Sequence, residues 1–78
     1  MPTVLRIGPY RFFFYSNENN EPAHIHIQRD KMLAKFWLKR ISLASSTRFS
    51  SKELGKLEML VKDNKEHLME AWNAYFSS

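Results

Sequence analysis

Two short segments that alternate around a polar pair limit this chain more than any other feature. Ala23 to Gln28 and Leu33 to Lys39 each carry apolar residues at every second position, with Asp30-Lys31 between them. Side chains alternate sides along a strand, so each segment reads as a strand with one apolar face. A two-residue turn at Asp30-Lys31 pairs Arg29 with Met32. Ile27 then lies opposite Ala34, and Ile25 opposite Phe36, all on one side. His26 faces Lys35 and His24 faces Trp37 on the other. A slip of one residue would carry the whole apolar set to the wrong side, so this register is strongly specified.

The remaining elements arrange themselves around that hairpin. Thr3 to Ile7 is a short strand candidate closed by the turn pair Gly8-Pro9. Tyr10 to Tyr15 is almost wholly aromatic and suits a strand with two packed or half-packed faces. Ser16 to Pro22 is a polar, turn-rich loop, long enough to be more than a connector. Ile41 to Ala44 adds a short final strand, and Ser45-Ser46-Thr47 reads as a break. Ser50 then starts a helix, with Glu53 three residues later completing a capping box. Leu54, Leu57, Val61, Asn64, Leu68, Ala71 and Tyr75 follow at steps of three and four, one stripe interrupted by Asn64. A continuous helix from Ser51 to Phe76 would be about 39 Å long. A domain of this size has a radius of gyration near 12 Å, so that helix would overhang the sheet. Either it bends around Asp63-Asn64, with Asp63 and Glu66 forming a second cap, or its end packs on another chain. The expected fold is α+β: a single domain over residues 1–78, with a four- or five-stranded antiparallel sheet in 1–44 and a long helix, straight or bent, in 50–76.

A chain of 78 residues without cysteine has no disulfide or thiolate zinc site to support a small core. Six Phe, three Tyr and two Trp must supply it. The N-terminus lacks the basic and apolar regions of a secretion signal, and no apolar run approaches the roughly 18 residues that span a bilayer. A cytoplasmic protein with no membrane partner is expected. Charge is uneven. Residues 1–48 hold eight basic against three acidic residues, a net of +5, whereas residues 49–78 hold four lysines against five acids, a net of −1. A basic first half suits a phosphate backbone or an acidic protein, or is simply a soluble surface.

The polar face of the hairpin gathers the candidate chemistry. It carries His24, His26, Lys35, Trp37 and Lys39, and Arg11, Phe13 and Tyr15 extend it if Phe12 and Phe14 point inward. Rings that stack on bases beside cations that neutralise phosphates are the parts of a single-stranded RNA surface. In that reading Arg11, Lys35 and Lys39 contact phosphates and Trp37 is a stacking platform. The same rings equally make a second small core. The histidine pair has three readings. As an acid–base pair, His24 and His26 would serve metal-independent RNA cleavage by a 2′-hydroxyl, with Glu21 or Glu18 able to replace one as the base. As metal ligands they lack an obvious third partner. As structural groups they hydrogen-bond the loop or the helix end. Trp72, Tyr75 and Phe76 suit core or interface, including a homodimer through the C-terminal helix. No phosphate loop, dinucleotide fingerprint or nucleophile elbow occurs, so no ATP- or NAD-type cofactor is expected.

The segments Met1-Pro2-Thr3-Val4-Leu5-Arg6-Ile7-Gly8, Tyr10-Arg11-Phe12-Phe13-Phe14-Tyr15-Ser16-Asn17-Glu18 and Glu21-Pro22-Ala23-His24-Ile25-His26-Ile27 resemble a widespread family of small prokaryotic proteins of unknown function. The likeness continues through Ala34-Lys35-Phe36-Trp37-Leu38, Phe49-Ser50, Glu53-Leu54 and Glu70-Ala71-Trp72-Asn73-Ala74-Tyr75-Phe76, nearly the whole chain. Members commonly have Pro where this chain has Ala23. The resemblance implies a genomic context, a neighbouring gene for another small protein and a toxin–antitoxin grouping. It therefore implies either an RNA-binding or RNA-cleaving protein, or a non-enzymatic module that binds a cognate protein or DNA and keeps its histidines as structure. It supplies no established catalytic residues.

Overall fold

Five strands precede two helices in the computed structural model, which describes residues 3–15 and 20–76. They are β1 (Thr3–Ile7), β2 (Tyr10–Phe13), β3 (His24–Arg29), β4 (Met32–Trp37), β5 (Ser42–Thr47), α1 (Ser51–Asp63) and α2 (Lys65–Phe76). The strands form one antiparallel sheet in chain order, so the fold is α+β with β1 and β5 at the edges. No helix among the described residues is long and apolar enough to cross a membrane.

The β3–β4 ladder has the register that the alternation specifies, with Arg29 opposite Met32, Ile27 opposite Ala34, Ile25 opposite Phe36, His26 opposite Lys35 and His24 opposite Trp37. Asp30 closes the turn at φ 54°, a left-handed value that Asp tolerates better than most residues. The face holding Phe12, Phe14, Ile25, Ile27, Ala34, Phe36 and Leu38 packs against Leu57, Val61, Leu68 and Trp72 of the helices, and Phe49 joins them. Each buried Phe, Ile, Leu or Val among them contributes about 1.5–3 kcal/mol, which is enough to fix which sheet face the helices take.

Two local expectations change. The segment Ser45-Ser46-Thr47 is not a break but the second half of β5, paired with β4 through Leu33–Thr47, Ala34–Ser46 and Lys35–Ser45. An edge strand has only one neighbour and a solvated surface, so hydroxyl side chains cost it little. The break falls instead at Arg48, whose φ of 71° turns the chain so that Phe49 enters the core. The strand expected to reach Lys39 stops at Trp37, and residues 38–41 form the turn into β5. The loop stretch 16–19, including Glu18, and the first two residues lie outside the described residues.

The helical region bends where the polar residue interrupts the stripe. Asn64 caps α1, donating from Nδ2 to the Leu60 carbonyl at 2.8 Å, and its own carbonyl accepts from Leu68 N at 2.9 Å. Capping there rests on Asn64 itself rather than on the Asp63 and Glu66 pair. The bend changes which residues face inward. Leu57, Val61 and Leu68 keep their expected places, but Trp72 is buried and Tyr75 is 45% exposed. The molecule measures 37 × 22 × 21 Å with a radius of gyration of 11.6 Å.

Ser50 caps α1 as expected, its hydroxyl accepting from Glu53 N at 3.1 Å. The Glu53 carboxylate turns to the sheet. It accepts from the Tyr10 hydroxyl at 2.7 Å and lies 2.8 Å from Arg29 Nε and 3.1 Å from Arg29 Nη2. One carboxylate thereby ties the start of α1 to β2 and β3. The Tyr10 hydrogen bond, reinforced by Arg29, holds the Glu53 carboxyl below the usual range against an opposing desolvation effect. Burial, followed by the bond to Glu53, pushes the Tyr10 phenol above its usual 10.0. A lowered carboxyl pKa contributes stability that is complete above the unfolded value and lost as pH falls through the folded one. A raised phenol pKa contributes stability that is complete below its unfolded value and lost as pH rises through the folded one. Thermal melts should therefore show that Glu53→Gln flattens the decline in Tm between about pH 5 and pH 3, and that Tyr10→Phe removes the decline above about pH 10. Profiles parallel to the native protein's at both ends would disprove the tie.

Candidate functional site

The helices cover one face of the sheet, and the residues with chemical potential sit on the other. Register places them in two rows across the strands. Thr3, Phe13, His26, Lys35 and Ser45 form one row; Arg6, Arg11, Gln28, Leu33 and Thr47 form the next. His24 and Trp37 pair beside the first row, with Ser42 opposite Trp37. Arg11, Lys35, Trp37, His24 and His26 are thus brought to one face, as the shared parity requires. Lys39 is not among them. It sits in the turn after β4, its carbonyl accepting from Lys65 Nζ at 3.0 Å.

Two cations of the face, Arg11 and Lys35, each lie on a ring. The Arg11 guanidinium is 4.5 Å from the centre of Phe13, and Lys35 Nζ is 4.7 Å from the centre of the Trp37 ring. Such contacts at a partly exposed surface contribute about 0.5–1 kcal/mol each. They also hold long side chains flat, which removes part of the ordering cost of meeting a ligand. Arg11 is fixed further by Nε to Thr3 Oγ1 and Nη1 to Gln28 Oε1, both at 3.1 Å. Lys35 Nζ donates to Glu21 Oε1 at 2.6 Å. Glu21 is therefore next to the pair, as the sequence suggested, but its closest described partner is a lysine.

The histidines lie under this surface. His24 has no exposed area and His26 is 6% exposed. The His24 ring meets Trp72 at 4.8 Å, His26 at 5.1 Å and Trp37 at 5.7 Å between centroids. Its Nδ1 is 2.9 Å from the Pro22 carbonyl and 3.9 Å from Glu21 Oε1. His26 stacks on Phe13 at 5.5 Å and takes the Tyr15 ring edge-on at 4.5 Å. Both imidazoles are members of an aromatic layer, and a reactant would meet Tyr15, Trp37 and Lys35 first. Among the described residues no group of three or more His, Cys, Asp or Glu is arranged to hold a metal ion. Glu18, the other candidate base, lies outside the described residues.

Sequence reasoning placed Trp72 in core or interface, as observed, but did not place it beside the histidines, and it missed Gln28. Trp72 stands one position off the expected helical stripe, and only the bend at Asn64 turns it onto both Phe14 and His24. Gln28 steers Arg11, yet in the sequence it is merely the polar end of an alternating run. Parity alone would have found Gln28; no local signal marks the contact between Trp72 and His24.

Comparison with known proteins identifies a family. Residues 10–73, from β2 nearly to the end of α2, match the family model of a domain of unknown function (DUF4160), leaving β1 outside the matched range. No curated protein and no solved structure matches the chain.

If the imidazoles are structural, truncation should be costly. His24→Ala should lower the unfolding free energy by about 2–4 kcal/mol, combining a cavity among Trp72, Trp37 and His26 with the lost bond to Pro22. Lys39→Ala should stay within about 0.5 kcal/mol. Urea denaturation measures both, and equal midpoints for His24→Ala and the native chain would remove the structural role.

Proposed function

The chain belongs to the DUF4160 family, a domain of unknown function, and from that premise we propose that it is a binding module whose open sheet face takes single-stranded RNA. One observation carries this reading: on the sheet face opposite the helix-packed core, Arg11 lies on the Phe13 ring and Lys35 on the Trp37 ring. Bases stack on exposed aromatic surface while adjacent cations neutralise phosphates, and a flat sheet presents both at strand spacing. Phe13 is only 2% exposed beneath Arg11, so the rings open to a base are Trp37 and Tyr15, the latter 37% exposed at the margin of the face. The net +5 of residues 1–48 favours an anionic ligand over an acidic-patch-free protein surface.

Cleavage is not part of the proposal. General acid–base transfer needs a group within hydrogen-bond reach of the substrate, and the full burial of His24 in the aromatic layer argues for support rather than proton transfer. The toxin–antitoxin grouping rests on the family resemblance alone. Association of two copies through α2 is a separate proposal. It rests on exposed Tyr75 and an apolar groove of about 360 Å³ formed with Val4, Phe14, Ala71 and Ala74. Light scattering on the native chain and on Tyr75→Ser checks it, with a concentration-independent monomer as the contrary result.

Fluorescence anisotropy with a short unstructured RNA tests the main reading. Arg11→Gln and Lys35→Gln should each weaken binding and reduce the salt slope by about 0.7, the value for one phosphate contact on a single strand. Trp37→Ala should cost about 1–3 kcal/mol, the range for one stacked base. The reading fails if the native chain binds no RNA at low salt. Metal-free cleavage that disappears in His26→Ala would return the histidines to a catalytic role.

A further inference from the structure

We infer that Lys35 and Trp37 form a phosphodiester site that the free protein fills with its own Glu21 carboxylate, so that RNA must displace Glu21 to bind there. The inference rests on the RNA reading above and names how that face is regulated.

Three observations carry it. First, Glu21 Oε1 sits 2.6 Å from Lys35 Nζ, a charge-assisted contact of the kind a phosphate oxygen would make. Second, the ammonium is held over the Trp37 ring at 4.7 Å, so the anion position lies beside a stacking surface. A nucleotide offers that same pair, a base plane and an anionic oxygen. Third, the carboxylate comes from a loop and not from the sheet. Glu21 is 41% exposed at its side chain, whereas Lys35 is 19% exposed and fixed by its strand register opposite His26. The cation is built in; the anion is carried on the chain segment that leads into β3.

The segment has a fixed anchor immediately behind Glu21. The Pro22 carbonyl meets His24 Nδ1 at 2.9 Å, and the Ala23 carbonyl accepts from Leu38 N at 2.9 Å. Rotation of the Glu21 side chain therefore releases Lys35, and with it the 3.9 Å approach of Oε1 to His24 Nδ1, while both anchors of the strand stay in place. A surface ion pair is weak enough to be exchanged, and strong enough to discourage loosely held anions. The geometry thus sets a threshold: a ligand that brings only a phosphate loses to the tethered carboxylate, whereas one that also stacks on Trp37 wins.

Glu21→Gln separates this from a general charge effect when compared with Asp30→Asn, which removes an equal charge at the β3–β4 turn. Asn is suited to the left-handed backbone at that position. With a short unstructured RNA, Glu21→Gln should bind about two- to five-fold more tightly than the native chain, the size of one surface ion pair. Its salt slope should stay close to the native value, because Lys35 neutralises one phosphate in both proteins. Asp30→Asn should show a smaller gain. In a Lys35→Gln background, Glu21→Gln should gain no more than Asp30→Asn does. RNA binding by the native chain with equal gains for Glu21→Gln and Asp30→Asn overturns the internal-ligand inference and leaves the RNA reading standing. Absence of RNA binding by the native chain and by every variant overturns the RNA reading itself.

Discussion

Pairing between β3 and β4 determines what every other part of the molecule can meet. With Ile25 opposite Phe36 and Ile27 opposite Ala34, one side of the central hairpin is apolar and must be covered; the helices supply that cover. The same pairing leaves His24, His26, Lys35 and Trp37 on the reverse side. A strand has a side-chain period of two, so the two faces cannot be adjusted independently. The chemistry of the open face is in this sense a by-product of how the core is built.

The open face solves a problem common to two-layer folds. A sheet packed on one side only must present a reverse side that is neither a bare apolar patch nor a set of buried charges. Here the rings are kept, but each is roofed or edged by another group. Phe13 lies under Arg11, His26 lies against Phe13 and Tyr15, and His24 lies under Trp72 and Trp37. The result is an aromatic layer with a cationic rim, whose side chains are already ordered before any ligand arrives.

Much of this was legible in the residues because it depends on alternation. The β3–β4 register, the shared parity of Arg11 with the histidines and the Ser50 cap follow from spacing rules that operate within a few residues. What was not legible depends on distant geometry. Ser45 to Thr47 carry turn-forming hydroxyls, and only their place at a solvated sheet edge makes them strand. Lys39 has the right parity, yet the chain turns before reaching it. The burial of His24 is set by Trp72, which lies 48 positions later in the chain beyond a bend whose angle no local pattern encodes.

That bend has a consequence for how chains of this type can vary in length. The joint between α1 and α2 is a single residue, Asn64, hydrogen-bonded to the turn before it and the turn after it. Each residue advances a helix by about 100° around its axis. Inserting or deleting one residue at the joint would swing α2 by that angle and carry Trp72 away from both Phe14 and His24. The aromatic layer on the far side of the sheet would lose its end wall through a change made in neither the layer nor the sheet. Spacing between the helices is therefore constrained by the histidine side of the molecule, and insertions are better accommodated at the exposed Lys39-Arg40 of the turn into β5.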